Sequence, residues 1–317
     1  MSFGLILATL IQAEAPAARP CTPTELRALT TPSDQAYRLT CRAVLDGAPV
    51  RRRILIEGAE ASGAGLDCGG GVIRPAGEAT TRAPTVAIWS RRDGDGWSRP
   101  SGVHVRNCTV VGNVRIWGMG AGGSMRDLLA SSRTAGHTAA AQAAAPSGVL
   151  LEQVRFEGAG TIPLYVGPGV TRTTVVRSRF VGRSVSVAVY LDAESAGAEI
   201  RDNDFSIRTG REQIAIDGSG ANRIVGNRFD LRGRGGIFLY RNCGEDGVIR
   251  HQTPSYNLIT DNVFAGAGWL RPRTVVVGAR EGGRSYCGDD AGYPFGSSAE
   301  DGDGAIGNRV ERNRTRP

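Results

Sequence analysis

The feature that most constrains this chain is a repeat. Ile200-Arg201-Asp202-Asn203-Asp204-Phe205 recurs as Ile224-Val225-Gly226-Asn227-Arg228-Phe229 and again as Ile259-Thr260-Asp261-Asn262-Val263-Phe264. Looser copies occupy 105–110, 151–156 and 175–180, and a degenerate one stands at 310–315. The closing residues at 156, 180, 205 and 229 are 24, 25 and 24 positions apart. A period of this length, built from β-branched residues with Gly and Asn turns, describes a solenoid whose units bury their apolar faces only against one another. The segments are too short for amphipathic helices, and apolar residues alternate with polar ones as they do in strands.

A second alternating segment follows each copy, at 162–166, 187–191, 214–218, 237–241 and 275–279, with earlier ones at 86–90 and 114–118. One turn of the solenoid therefore carries at least two short strands, and successive turns stack through parallel sheets. With its Asn203-Asp204-Phe205 and Asn227-Arg228-Phe229 turns, the chain resembles the right-handed parallel β-helix proteins of the pectate-lyase-like superfamily over roughly residues 54–315. The resemblance implies an all-β fold, a right-handed parallel β-helix solenoid. For function it implies a range: polysaccharide lyases, glycoside hydrolases, epimerases and non-catalytic adhesins.

A solenoid needs its ends closed. Thr22 and Glu25 have capping-box spacing and Pro23 falls on the first helical position, so a short helix over 22–29 is expected as the N-terminal cap. Six cysteines suit an oxidising compartment. Cys21 and Cys41 bracket the helix signal, and Cys68 with Cys108, like Cys243 with Cys287, lie in neighbouring repeats, which favours those three pairings. No CxxC pair or His/Cys cluster marks a structural zinc site. Residues 3–11 are apolar, and Ala13-Glu14-Ala15 has the small-x-small pattern of an export cleavage site. The expected organisation is a signal peptide at 1–15, a cap at 16–53 and a β-helix domain at 54–317. Insertions interrupt the period near 119–147 and 280–303, and loops of that length are usually functional or mobile. The expected location is periplasmic or secreted. No apolar run approaches the ~18 residues of a membrane-spanning helix.

The formal net charge is +7 and every basic side chain is Arg, with no Lys in the sequence. That excludes Schiff-base, P-loop and general-base lysines. A basic exported chain suits an anionic partner, here an acidic polysaccharide. The arginines are scattered, with only Arg51-Arg52-Arg53 as a run, so no nucleic-acid partner is expected.

Aligned on an inward apolar residue (Ile88, Ile116, Leu164, Val189, Ile216, Leu239, Val277), the second strands place Trp89, Trp117, Tyr165, Tyr190, Asp217, Tyr240 and Gly278 at the next, outward position. At ~4.8 Å per strand, the row from Trp89 to Tyr240 would run about 24 Å. Sugar C–H faces pack on aromatic rings while hydroxyls stay hydrated, so Trp89, Trp117 and Tyr165 are expected to bind a polymer. The alternative is stacking for stability alone. Asp217 interrupts the row, with Asp192 and Glu194 one coil before, Glu212 on its own coil and Arg241 one coil after. Crowded carboxylates raise one another's pKa while Arg holds another ionised, which prepares acid–base chemistry at Asp217, Asp192, Glu194, Glu212, Arg241, Tyr190 and Tyr240. The bland reading is a surface ion-pair network. Asp192, Glu194 and Asp217 are also possible Ca²⁺ ligands. His137, in the first insertion, and His251, after Arg250, are expected at a groove rim as acid–base groups, each weighed against simple solvation. His104 is read as structural.

Three function classes follow in order. The first is an exported lyase cleaving an acidic polysaccharide in a groove along the β-helix. The second is a glycoside hydrolase using paired carboxylates. The third is a non-catalytic polysaccharide-binding or surface protein. The paired-Asp and Gly-His-Gly pattern of polygalacturonases and the Asp-Pro-His-Asp of alginate epimerases are absent, and without Lys a lyase must take its base from Tyr, His or Arg.

Overall fold

The computed structural model describes residues 18–120, 125–232, 234–266, 273–281 and 290–316. The expected signal peptide at 1–15 and Cys287 lie outside them. The chain winds through three long sheets, each nine-stranded among the described residues, in which every neighbouring pair is parallel. This is the expected all-β parallel β-helix.

The repeat explains the winding. In each coil one residue turns the corner between two sheets in the left-handed region: Asn107, Gln153, Arg177, Asp202, Gly226, Asp261 and Arg312, with φ between 49° and 70°. The next position is Asn in the later coils, and these amides form a buried ladder. Asn203 Nδ2 donates to Asn227 Oδ1 at 3.0 Å, Asn227 to Asn262 at 3.0 Å and Asn262 to Asn313 at 2.9 Å. The same Oδ1 atoms accept the backbone N–H of the preceding coil, so the corner leaves no buried amide unpaired. Two residues further on, Phe156, Phe180, Phe205, Phe229 and Phe264 stack inside the coil with centroids 4.4–4.9 Å apart, which is the parallel-strand spacing.

The cap is as read. Helix α1 (Pro23–Thr30) carries the capping box, with the Thr22 hydroxyl accepting from Glu25 N–H and the Glu25 carboxylate accepting from Thr22 N–H. Parallel pairing already begins at Tyr37–Arg38 and Arg42–Val44. Cys21–Cys41 and Cys68–Cys108 are disulfides. Cys243 is also disulfide-bonded. The first insertion is helical where it is described: it forms α2 (Arg126–Ser132) and α3 (His137–Ala144), which pack on the coil. Among the described residues no helix is long and apolar enough to cross a membrane, and two defined disulfides fit an oxidising, extracellular setting.

Candidate functional site

The strand pairing corrects the expected aromatic row. Trp89 pairs with Trp117, and Asp217 with Tyr240, as read. Between them the register differs by two residues. Tyr165 pairs with Arg115 and with Tyr190, and Tyr190 with Ala215. The inward residues of those coils are Val166 and Leu191 as well as Leu164 and Val189. Ile162 and Val187 sit outside the coil beside Tyr190 and Tyr240. Three apolar residues at 162, 164 and 166, and again at 187, 189 and 191, allow two alignments, and a two-residue slip keeps every side chain on its face. Two outward columns result. One is Trp89, Trp117, Gly167, Asp192, Asp217 and Tyr240; the other is Ala87, Arg115, Tyr165, Tyr190, Ala215 and Phe238.

This register brings two tyrosines against two aspartates. The Tyr165 hydroxyl donates to Asp192 and the Tyr190 hydroxyl to Asp217, with each tyrosine one coil ahead of its acid. The two phenol rings stack at 5.6 Å. Arg250 joins the pairs: its Nη1 lies 2.6 Å from Asp192 Oδ1 and 2.9 Å from Asp217 Oδ2. Asp217 is fully buried and also accepts from Asn242 N at 2.8 Å and Asn242 Nδ2 at 2.7 Å. Burial first, and the adjacent aspartates second, push both tyrosines well above the usual phenol range, so they are proton donors at neutral pH. Burial opposes the charge on Arg250, but Asp192 and Asp217 outweigh it and hold the guanidinium firmly protonated.

The cation expected here was Arg241, one coil after Asp217. It faces elsewhere: its Nη2 donates to the carbonyls of Glu300 at 2.5 Å and Gly302 at 2.8 Å, and its backbone N–H to Asp303. Strand register could place Arg241 but not Arg250, which belongs to the irregular segment after Tyr240. Glu212 is not part of the central group either. It accepts from the Tyr240 hydroxyl and from Arg211, each at 2.8 Å, in a second cluster where Arg280 lies 4.3 Å above the Tyr240 ring. Tyr240 and Asp217 are both outward of the coil yet fully buried: Asn242 and Arg250 close on Asp217, and Ala279 and Arg280 on Tyr240.

Glu194 holds that cover in place. Its carboxylate accepts from Thr138 on α3, from His251 N at 2.7 Å and from Gln252 N at 3.2 Å. Burial raises its pKa against those hydrogen bonds. Neither His137 nor His251 is simply solvated. His137 begins α3, is 1% exposed, and its Nδ1 meets Ser131 Oγ at 2.9 Å. His251 bonds the Ser132 carbonyl at 2.7 Å and lies 5.1 Å from the His137 ring. Burial, then His251, lowers the His137 pKa to about 4, so its imidazole is neutral at pH 7. His104 lies on a strand away from the site, half-buried, with its pKa lowered by burial.

A cavity of about 530 Å³ lies on this face. Its walls include Trp117, Tyr165, Tyr190, Asp192, Glu194 and His137, together with Arg82, Arg115, Arg211, Arg250 and Arg280. Trp89, Asp217, Glu212, Tyr240, Arg241 and His251 are not among them, so Asp217 acts on the cavity through the lining residues it bonds, Tyr190, Asn242 and Arg250. The carboxylates do not suit Ca²⁺: Asp192 and Asp217 turn on a guanidinium, while Glu194 turns on backbone amides. Among the described residues no group of three or more His, Cys, Asp or Glu is arranged to hold a metal. Arg250 and Arg115 were both missed from sequence. Arg115 was readable, as the polar residue between Val114 and Ile116 in the column next to the one chosen.

Comparisons with known proteins add little to this geometry. No sequence family matches the chain, and no curated protein does. Among solved structures, an alginate lyase from Paenibacillus sp. str. FPU-7 aligns over 92% of this chain and 94% of its own, at 12% identity and a TM-score of 0.29. The Dettilon tailspike protein aligns over 80% of this chain and 62% of its own, at 12% identity and a TM-score of 0.28. Overlap at that level carries no functional argument, and the site's own chemistry has to supply one.

Proposed function

We propose that this chain is an exported polysaccharide lyase acting on an acidic polysaccharide. The observation that carries the reading is the twinned centre in a cation-lined cavity: Tyr165 and Tyr190, kept protonated against Asp192 and Asp217, beside a guanidinium that is never neutral. In β-elimination on a uronate, the C–H bond next to the sugar carboxylate breaks, its electron pair forms a C=C bond, and the glycosidic C–O bond opens. Cations in the wall offset the charge that grows on the carboxylate. A tyrosine O–H turns from its aspartate to the departing oxygen and gives it the proton, and the phenolate left behind is offset by Arg250. Neutral His137 in the cavity wall is the candidate acceptor for the carbon-bound proton.

Hydrolysis fits less well. A hydrolase needs one carboxyl group that carries a proton at working pH. Asp192 is bound to Arg250 and Tyr165; Glu194 has its pKa raised by burial, but both its oxygens already accept hydrogen bonds from Thr138, His251 and Gln252. The two disulfides and the basic charge support export to an oxidising compartment where acidic polymers are met.

The test is incubation with a panel of polyuronates and sulfated glycosaminoglycans, following double-bond absorbance and reducing ends together. A lyase raises both. A hydrolase raises only the reducing ends, and a binding protein neither, so either of those results overturns the proposal.

A further inference from the structure

Arg115 stands apart from every other buried charge in the cavity. It sits mid-strand in Val114–Trp117, faces outward, and is 4% exposed. Its Nε is buried without a hydrogen-bond partner, and among the described residues no carboxylate lies within ion-pair distance. The Tyr165 ring lies 4.8 Å from its guanidinium carbon. Arg250 is buried in the same cavity but is neutralised by two aspartates.

Removing a guanidinium from water costs several kcal/mol unless a counter-charge is present. A cation–π contact with a single ring offsets only part of that cost. Two positions along the same face, the Trp117 indole N–H is likewise buried without an acceptor. Both residues line the cavity. A buried, unpaired guanidinium beside an unpaired indole N–H in the wall of one cavity suits a ligand that brings acceptor oxygens and negative charge. The planar fork of Arg fits carboxylate or sulfate through two parallel hydrogen bonds.

We infer that Arg115 and Trp117 form an anion subsite for a carboxylate or sulfate group on a sugar adjoining the one at the Tyr190–Asp192 centre; this deepens the polysaccharide reading and rests on it. Arg115 is two strands from the strand that precedes Asp192, about 10 Å along the stack. That exceeds the span of one sugar ring, so the polymer carries acidic groups on more than one sugar of the bound stretch. Tyr165 lies between, with its ring on Arg115 and its hydroxyl on Asp192.

The test is binding, read by calorimetry and by thermal shift, with glucuronate and inorganic sulfate as probes, glucose as the neutral control and sodium chloride at matched ionic strength. Wild type is expected to bind at least one of the two anions and to ignore glucose; which one binds separates a uronate subsite from a sulfate subsite. Arg115→Met removes an unpaired buried charge, so it should fold at least as stably as wild type and bind the anion at least about tenfold more weakly. If that variant does not fold, Arg115→Gln reads the same loss with a polar side chain. Equal anion binding by wild type and variant, or no anion-specific binding by wild type, overturns the subsite. The readout is independent of turnover. Arg115-dependent binding in a protein that cleaves no polymer keeps the subsite and removes the lyase reading, whereas cleavage without Arg115-dependent binding removes only the subsite.

Discussion

Replacing Asp217 by Asn tests the centre with almost no change of shape. Asp217 Oδ1 accepts from Asn242 N at 2.8 Å, and Oδ2 accepts from Asn242 Nδ2 at 2.7 Å, Arg250 Nη1 at 2.9 Å and the Tyr190 hydroxyl. Asn offers one acceptor oxygen. Placed at Oδ1, it turns its NH₂ on three donors. Placed at Oδ2, it turns that NH₂ on one donor, the Asn242 amide, so this rotamer is preferred. One buried donor then lacks an acceptor, which costs ~1–3 kcal/mol. The bonds from Tyr190 and Arg250 lose their charge assistance, which roughly halves their strength. The sum is about 3 kcal/mol, at the low end of the ~3–5 kcal/mol for breaking a buried ion pair, because Asp192 still holds Arg250 at 2.6 Å. Urea unfolding at pH 7, followed by circular dichroism, should show that loss as a lower midpoint at unchanged slope. Under the proposed elimination Tyr190 also loses the carboxylate that positions it, and turnover falls ~10²-fold or more. An unchanged midpoint together with turnover within about threefold of wild type would refute the reasoning, since a group positioning an acid–base residue should cost more than that.

Tyr190→Phe deletes only the hydroxyl and is expected to abolish turnover while polymer binding persists; full activity would show that Tyr190 carries no proton. Trp117→Ala should weaken polymer binding and also cost about 1–2 kcal/mol, because the partly buried ring makes an edge contact with Tyr165 at 5.6 Å; a stability loss with unchanged binding would make the ring purely structural. His137 has a folded pKa of about 4 against an ordinary 6.5. The unfolded chain therefore binds the proton first as pH falls, and this group's stability is present above about pH 6.5 and lost progressively toward pH 4. The drop is about 3 kcal/mol. Glu194, whose pKa is raised by burial, contributes with the opposite sign. His137→Gln should therefore flatten the decline seen by wild type between pH 7 and pH 4.5 in urea midpoints, and parallel curves for the two proteins would contradict the assignment.

How much the sequence revealed follows from where each residue sits. The coil was readable because Asn203, Asn227, Phe205 and Phe229 must each meet their own kind at one strand spacing, and that demand writes a period into the chain. The cap was readable for the same local reason, since Thr22, Pro23 and Glu25 act within one turn of helix. Trp117, Tyr165, Tyr190, Asp192 and Glu194 all line the cavity; the outward side of the first three was readable because alternation alone decides which side of a strand faces out. Their alignment was off by two residues in two coils, because Ile162 and Val187 extend the apolar alternation beyond the strands and alternation cannot count in twos. Arg250 and the burial of Asp217, Tyr240 and His137 were not readable at all. They depend on how irregular segments fold back over the sheet, and no periodicity governs that packing.

The central claim is elimination on an acidic polymer, and the mass of the products decides it most directly. Digestion of the polyuronates and glycosaminoglycans of the panel in ¹⁸O-enriched water, followed by mass spectrometry of the oligosaccharides, separates the chemistries in one spectrum. Elimination predicts a fragment at each cut that is lighter by one water than its hydrolytic counterpart, with no ¹⁸O introduced by bond cleavage. Full-mass fragments carrying one ¹⁸O per cut, with no unsaturated series, would contradict it and return the site to its carboxylates.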